Sequence, residues 1–530
     1  MDLLEGIFAT TILAIAVAGI ARWRGWGIAL PVLITGIIVG FLPFGPRAPA
    51  DGGDAFLLVL APLVFGEALS SSFVDFRRLR RPILALAIGL VIVSSLAVGA
   101  VAAQLVPGLP LAMAFALGAI LSPTDAVAVA SIAKRVSLPR RVVTILEGES
   151  LVNDGTGLTL LRVALAVAAA GALTAQEVLT VLAQSVLGGV AVGAVVGIVL
   201  ALVIRRGSDD LLANALILIA PFPAYLGAEA IGGSGILAVV TAALIITNTM
   251  LTDRDFRGRR ASVAVWKQIT FVLTALAFML VGLELPATIE ELPAEELRLL
   301  PVLVICVLLT LLVARMGFVL MMALITRGDV RRRIGMREAI VLAWAGTRGP
   351  VSGLAAFSLP LGVGVEALVD QTQLLQATTF IVITMTLLLS PTLGVVARAV
   401  KLRGDDDTDS GSDLRAALAA RGLAALDDAL QEATLEHRPL SVEAESIVRS
   451  RLTMELRSAE EETGESPVIN DGGTTVRDVW RLERIVLKAQ HDELLVLRDS
   501  GWPDAVLRPA MHEIDLQRSA LRARDPRNDA

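Results

Sequence analysis

The sequence predicts an all-α polytopic membrane protein: thirteen transmembrane helices in two inverted six-helix repeats with broken crossing helices, followed by a small helical cytoplasmic tail. Three observations predict it. Hydrophobic residues make up 55% of the 530-residue chain, and they concentrate in long runs before residue 400. Lys and Arg collect in every second connection between those runs. Two of the runs are interrupted by proline among polar residues. An apolar helix of about 20 residues matches the roughly 30 Å hydrocarbon core. The alternating pattern of a β-barrel strand is absent.

The candidate spans, in order, are 7–21, 27–44, 54–73, 82–105, 111–133, 143–169, 177–204, 211–231, 234–250, 265–285, 299–325, 336–360 and 372–399. The first reads as a retained span, because no basic region precedes it and no small-residue cleavage site follows it. The eighth and ninth are separated by little more than Gly232-Gly233.

The connections orient these segments. After odd-numbered spans come Arg22 and Arg24; Arg77, Arg78, Arg80 and Arg81; Lys134, Arg135, Arg140 and Arg141; and Arg205 and Arg206. The series continues with Arg254, Arg257, Arg259 and Arg260, then Arg327, Arg331, Arg332 and Arg333. The other connections are nearly free of Lys and Arg, Arg47 and Arg298 excepted. Cytoplasmic loops carry the Lys/Arg excess, so the N-terminus is expected outside and the C-terminus inside. With an odd count, segments 1–6 and 8–13 enter from opposite sides. They can therefore form inverted repeats, in which segments 5 and 12 correspond. Both hold interruptions: Ser122-Pro123-Thr124-Asp125, and Gly346-Thr347-Arg348-Gly349-Pro350. Proline removes a backbone donor and clashes with the preceding turn. Unwound backbone at membrane depth is tolerated where it lines a polar cavity or packs within protein. The two breaks therefore mark the expected site.

Ionisable groups within the spans are few, and each is costly enough to need a reason. Asp125 follows the first break, as a ligand or as a cap for a restarting helix. In segment 6, Ser150 and Asp154 share one helix face, and Glu149 and Asn153 the adjacent one. Hard cations favour oxygen ligands of this kind. Glu147 is expected near the interface, where a helix start also suits a carboxylate. Arg348 needs a counter-charge, and Glu149 is the best candidate in the opposite repeat. Glu67 stands alone in the apolar run of segment 3, and Glu284 reads mainly as interfacial. All three histidines lie beyond residue 400, which leaves carboxylates to handle protons in the spans.

Four stretches resemble the bacterial monovalent cation:proton antiporters of the NhaP and NHE type, a likeness that covers about residues 5–400. They are Phe65-Gly66-Glu67, Ser122 to Val129, Glu147 to Asp154 and Gly346 to Pro350. The resemblance implies the inverted-repeat fold and a homodimer in the inner membrane. It also implies exchange of Na⁺ or Li⁺ for H⁺ without a cofactor. Asp154, Ser150 and Glu67 would be cation ligands, Thr124 a backbone contact, and Asp125 and Asn153 the groups that shape the site. Glu149 with Arg348 would be a structural ion pair. Asn153-Asp154 is similar to the pair in electroneutral members. Ala126 departs from the proline that many members have after the segment 5 Asp. K⁺/H⁺ exchange is the alternative within the family, and a cation channel the alternative outside it.

Beyond Lys401 the composition turns polar. Residues 401–412 read as an acidic linker and 413–530 as a helical domain, with helices near 413–433, 441–461, 476–499 and 503–523. Leu414, Leu418, Leu426 and Leu430, and Val479, Leu482, Val486 and Leu497, recur near helical spacing. Residues 463–475 read as a loop and 524–530 as a frayed end. Cys306 is the only cysteine, so no internal disulfide is available. No nucleic-acid-binding pattern is present. The Tyr-Asp signature of an intramembrane aspartyl protease is also missing, because the single tyrosine, Tyr225, precedes Leu226.

Overall fold

In the computed structural model, the described residues are 3–42, 59–71, 73–125, 133, 136, 138–170, 174–206, 210–252, 259–325, 334–359, 369–402, 407–435, 440–458, 473–500, 502 and 504–523. Those residues hold helices and no strands. The chain divides into two compact units, Met1–Gly404 and Asp405–Ala530.

The first unit contains α1 (Leu3–Trp23), α2 (Ala29–Gly40), α3 (Ala61–Ser70), α4 (Arg80–Leu105) and α5 (Leu111–Leu121). Then come α6 (Arg140–Ala170), α7 (Ala175–Arg206), α8 (Leu211–Ala230) and α9 (Gly235–Thr252). It ends with α10 (Arg259–Glu290), α11 (Ala294–Ile325), α12 (Met336–Trp344), α13 (Pro350–Ala356), α14 (Val369–Leu389) and α15 (Thr392–Ala399). Seven of these, α4, α6, α7, α8, α10, α11 and α14, have the length and apolar character to cross a membrane. Shorter apolar helices occupy the expected segments 1, 2, 5 and 9. Segment 3 holds α3, and segment 12 holds the split pair α12 and α13. Segment 13 holds two helices, α14 and α15, which meet at Ser390 and Pro391. Residues 54–58, Ala126 and the rest of 126–132, and most of the two basic connections around 253–258 and 326–333 lie outside the described residues.

Small residues let the helices approach closely. At the α2–α10 crossing, a Cβ on Gly36 would lie 2.6 Å from the Met279 carbonyl oxygen, and one on Gly282 would lie 2.4 Å from the Leu33 oxygen. At the α7–α9 crossing, a Cβ on Gly193 would lie 2.3 Å from the Ala238 oxygen. Small-residue seams of this type draw helices together in lipid, where no hydrophobic force separates helix from tail. Gly282→Val should therefore force the α2–α10 pair apart. The expected cost is about 1–3 kcal/mol, that of an overpacked core. A lower melting temperature in detergent than the wild type checks it, and an unchanged value would show that the seam can give way.

The second unit has four helices: α16 (Asp407–Leu435), α17 (Val442–Ser458), α18 (Gly473–Ser500) and α19 (Asp504–Ala523). One apolar cluster joins Leu426, Val448, Leu482 and Val486, and another joins Leu414, Leu487, Leu494 and Leu507. The expected linker 401–412 is shorter than the sequence suggested, because α16 begins at Asp407. Residues 403–406 and 524–530, and the expected loop from Thr463 to residue 472, lie outside the described residues.

Candidate cation-binding site

Two interrupted helices meet at the site. The helix of α5 stops at Leu121, and residues 122–125 are not helical. The helix of α12 stops at Trp344, residues 345–349 are not helical, and α13 starts at Pro350. Proline is suited to the first helical position and disfavours a helical residue before it. Gly349 accordingly is extended, with φ −109° and ψ −174°.

The two breaks bind each other. The Asp125 amide donates to the Thr347 carbonyl at 2.8 Å, and the Thr347 hydroxyl donates to the Asp125 carbonyl at 3.1 Å. The backbones are close enough that a Cβ on Gly349 would lie 2.6 Å from the Cβ of Asp125. Gly349→Ala should push Asp125 out of place at a cost of about 1–3 kcal/mol. The expected outcome is a folded protein with most of its transport lost. Wild-type transport by this variant would mean that the crossing is not needed in its present form.

The continuous helix α6 runs past this crossing. Glu149, Ser150, Asn153 and Asp154 are all buried on it. Ser150 and Asp154 line a small pocket together with half-buried Glu67 from α3, Thr124 and Asp125 from the first break, and Gly349 to Ser352 from the second. Three carboxylates thus face one pocket. Among the described residues, however, no three His, Cys or acidic groups close into a tight metal cluster. A cation held here would take its other ligands from hydroxyl, carbonyl or water oxygens.

Asn153 and Glu149 stand behind the pocket, joined through Thr124. The Asn153 amide donates to the Thr124 hydroxyl at 3.0 Å, and that hydroxyl donates to Glu149 Oε1 at 3.0 Å. The Thr124 carbonyl also accepts a longer bond of 3.5 Å from the Asn153 amide.

The ion pair differs from the one expected. Glu149 is held by Arg315 of α11, with Nη1 to Oε1 at 2.5 Å and Nη2 to Oε2 at 3.0 Å, both residues being buried. Arg348 forms no salt bridge with Glu149. Its Nε donates to the Leu121 carbonyl at 2.8 Å, and its Nη1 donates to the Gly346 carbonyl. The reason is that a broken helix exposes carbonyls without intrahelical partners, at an end that carries partial negative charge. Leu121 ends α5, and Gly346 follows the end of α12. Arg348 thus serves both helix ends, and backbone carbonyls stand where a carboxylate was expected. Arg315 acts similarly through its Nε, which donates to the Leu342 carbonyl of α12 at 3.0 Å. Sequence reasoning missed Arg315. The signal was visible as a lone arginine within the apolar run from Leu311 to Phe318.

A second tie fixes the far part of α6. Arg162 Nη1 donates to Glu229 Oε1 at 3.0 Å and to the Gly233 carbonyl at 2.6 Å, linking α6 to the turn between α8 and α9. This pair was also not anticipated.

Residues 9–397 match the family described as sodium/hydrogen exchanger, transmembrane. The chain belongs to that family. A protein of Mycobacterium tuberculosis strain H37Rv, named an uncharacterized sodium/proton exchanger, is 33% identical over 433 residues, 79% of each chain. The sodium, potassium, lithium and rubidium/proton antiporter of Bacillus subtilis is 32% identical over 342 residues, 61% of this chain and 51% of that one. The sodium/proton antiporter ApNhaP of Aphanothece halophytica is 30% identical over 355 residues, 66% and 65% of the two chains. The fold is similar to that of the sodium/proton antiporter MjNhaP1 of Methanocaldococcus jannaschii. That match has a TM-score of 0.60 at 19% identity, over 76% of this chain and 99% of the other. The chain is thus a multi-pass membrane transporter of a cation:proton antiport family, and not an enzyme.

Proposed function

We propose that this protein exchanges Na⁺ or Li⁺ for H⁺, one for one, with cation and proton competing for Asp154. The observation that supports it most directly is the pocket at the crossing of the two breaks, where Asp154, Ser150 and Glu67 converge. An ionised Asp154 accepts the cation together with Glu67 and Ser150, and a protonated Asp154 rejects it. Asp125, Thr124 and Asn153 shape the site, and the Glu149–Arg315 pair and Arg348 hold the breaks around it. If only the loaded or the protonated site crosses, exchange is coupled, and rocking of one helix bundle against another alternates access. The thirteen segments act as two inverted repeats in a homodimer in the inner membrane, with the N-terminus outside and the C-terminus cytoplasmic. No resident cofactor takes part.

K⁺/H⁺ exchange is the second reading. It is favoured by the Bacillus subtilis relative, whose name includes potassium and rubidium beside sodium and lithium. Purified protein in liposomes with a preset pH gradient separates the two. Internal pH is followed after adding Na⁺, Li⁺ or K⁺, with and without a membrane-potential clamp. Proton movement with Na⁺ and Li⁺, unaffected by the clamp, is the expected result. A response to K⁺ alone would change the substrate, and no response to any cation would end the antiport reading.

A further inference from the structure

Ser352 is the third residue of α13 and lines the same pocket as Glu67, Ser150 and Asp154. It is 2% exposed, and its Oγ is buried with no hydrogen-bond partner among the described residues. A buried hydroxyl left in that state is costly, and proteins rarely keep one without a reason.

Many other hydroxyls in these apolar helices avoid that cost by bonding the preceding turn. They donate back to the carbonyl four residues earlier: Thr156 to Val152, Thr159 to Gly155, Thr378 to Leu374 and Thr384 to Phe380, at 2.7 to 3.0 Å. Ser352 makes no such bond. Four residues earlier lies Arg348, in the non-helical stretch 345–349. The break that opens the helix thus also frees this hydroxyl. Ser185 and Thr247 carry hydroxyls in the same condition, but neither lines the pocket.

We propose that Ser352 Oγ is a ligand of the transported cation, supplied by the second half of the chain to a shell begun by Glu67, Ser150 and Asp154. This rests on the reading of the pocket as the exchange site. Alkali cations are bound by oxygen, and discrimination among hard cations depends on cavity size, ligand number and rigidity. A serine hydroxyl adds a ligand without adding charge. It therefore acts on which cation is held and how tightly, and leaves the exchange of one positive charge for another unaltered. It also places a ligand on each side of the crossing, because Ser150 and Asp154 belong to α6 and Ser352 to α13.

The test compares the wild type with Ser352→Ala and Ser352→Thr in liposomes. Half-saturating concentrations and maximal rates are measured for Na⁺, Li⁺ and K⁺. Loss of one oxygen ligand should raise the half-saturating Na⁺ concentration about tenfold in Ser352→Ala and change the Na⁺:Li⁺:K⁺ ratios, with the maximal rate nearly kept. Ser352→Thr retains the hydroxyl and should stay close to wild type in those ratios. Equal loss of maximal rate in both variants with unchanged ratios would assign Ser352 to packing alone and overturn the proposal, as would a Ser352→Ala protein identical to wild type. Calorimetric Na⁺ binding to the purified proteins is measured alongside. A wild type that moves no protons would defeat the exchange reading itself. In that case weaker Na⁺ binding by Ser352→Ala than by wild type still supports the ligand assignment, and equal or absent binding refutes it.

Discussion

Asp154→Asn should fold, reach the membrane and show no cation-dependent proton movement above the liposome background. Asparagine has the shape of aspartate and keeps an oxygen ligand, so the buried position on α6 tolerates it. What it lacks is the negative charge that binds the cation and the ability to take up a proton in exchange. A bare charge at this depth is costly, so the carboxylate must be accompanied by a proton or a cation. Competition at one group is then the coupling. Two further measurements separate loss of coupling from loss of folding. Sodium binding only to the folded state should stabilise the wild type by about 2.7 kcal/mol at a hundred times its dissociation constant. The variant should melt near the wild-type temperature without Na⁺ and gain nothing from adding it. In the wild type, lowering the pH should raise the half-saturating Na⁺ concentration, because protons compete for the same oxygen atoms. Transport retained by Asp154→Asn would move the proton to Glu67 or Asp125, the other two carboxylates of the pocket.

Much of the architecture was legible because the bilayer imposes it. Apolar length marked the helices, and Pro123 and Pro350 marked the breaks, since proline cannot sit inside a continuous helix without loss. The members of the pocket were legible for the same reason: Glu67, Asp125 and Asp154 are expensive where they stand. What could not be read was who serves whom. Glu149 and Arg315 are 166 residues apart, and Arg348 was an equally charged candidate in a more conspicuous place. Its real partners, the Leu121 and Gly346 carbonyls, belong to the backbone and leave no mark in side-chain chemistry. Ser352 was silent for a related reason. A serine in an apolar helix often bonds its own preceding turn, and only the position of the break shows that the residue four before this one is not helical.

Removing either partner of the Glu149–Arg315 pair should be the most destabilising single change in the transmembrane unit. Truncating one member leaves the other charged and buried, which costs about 3–5 kcal/mol in comparable pairs. The damage extends further here. Glu149 also accepts from Thr124 in the first break, and Arg315 also donates to Leu342 at the end of α12. Glu149→Gln and Arg315→Met are therefore each expected to melt well below wild type in detergent and to lose exchange. Arg315→Lys keeps the charge but not the two-point contact, and should fall between. Replacing both partners with apolar residues removes the unpaired charge, so Glu149→Met with Arg315→Met should be more stable than either single variant, without regaining transport. The decisive comparison is a pair of double-mutant cycles. Residues in direct contact show interaction energies of about 0.5–3 kcal/mol, and distant ones add nearly independently. Glu149 should couple strongly to Arg315 and weakly to Arg348, whose own removal acts through the carbonyls it leaves unserved. Stronger coupling to Arg348 would reinstate the partner that the sequence suggested and remove Arg315 from the site.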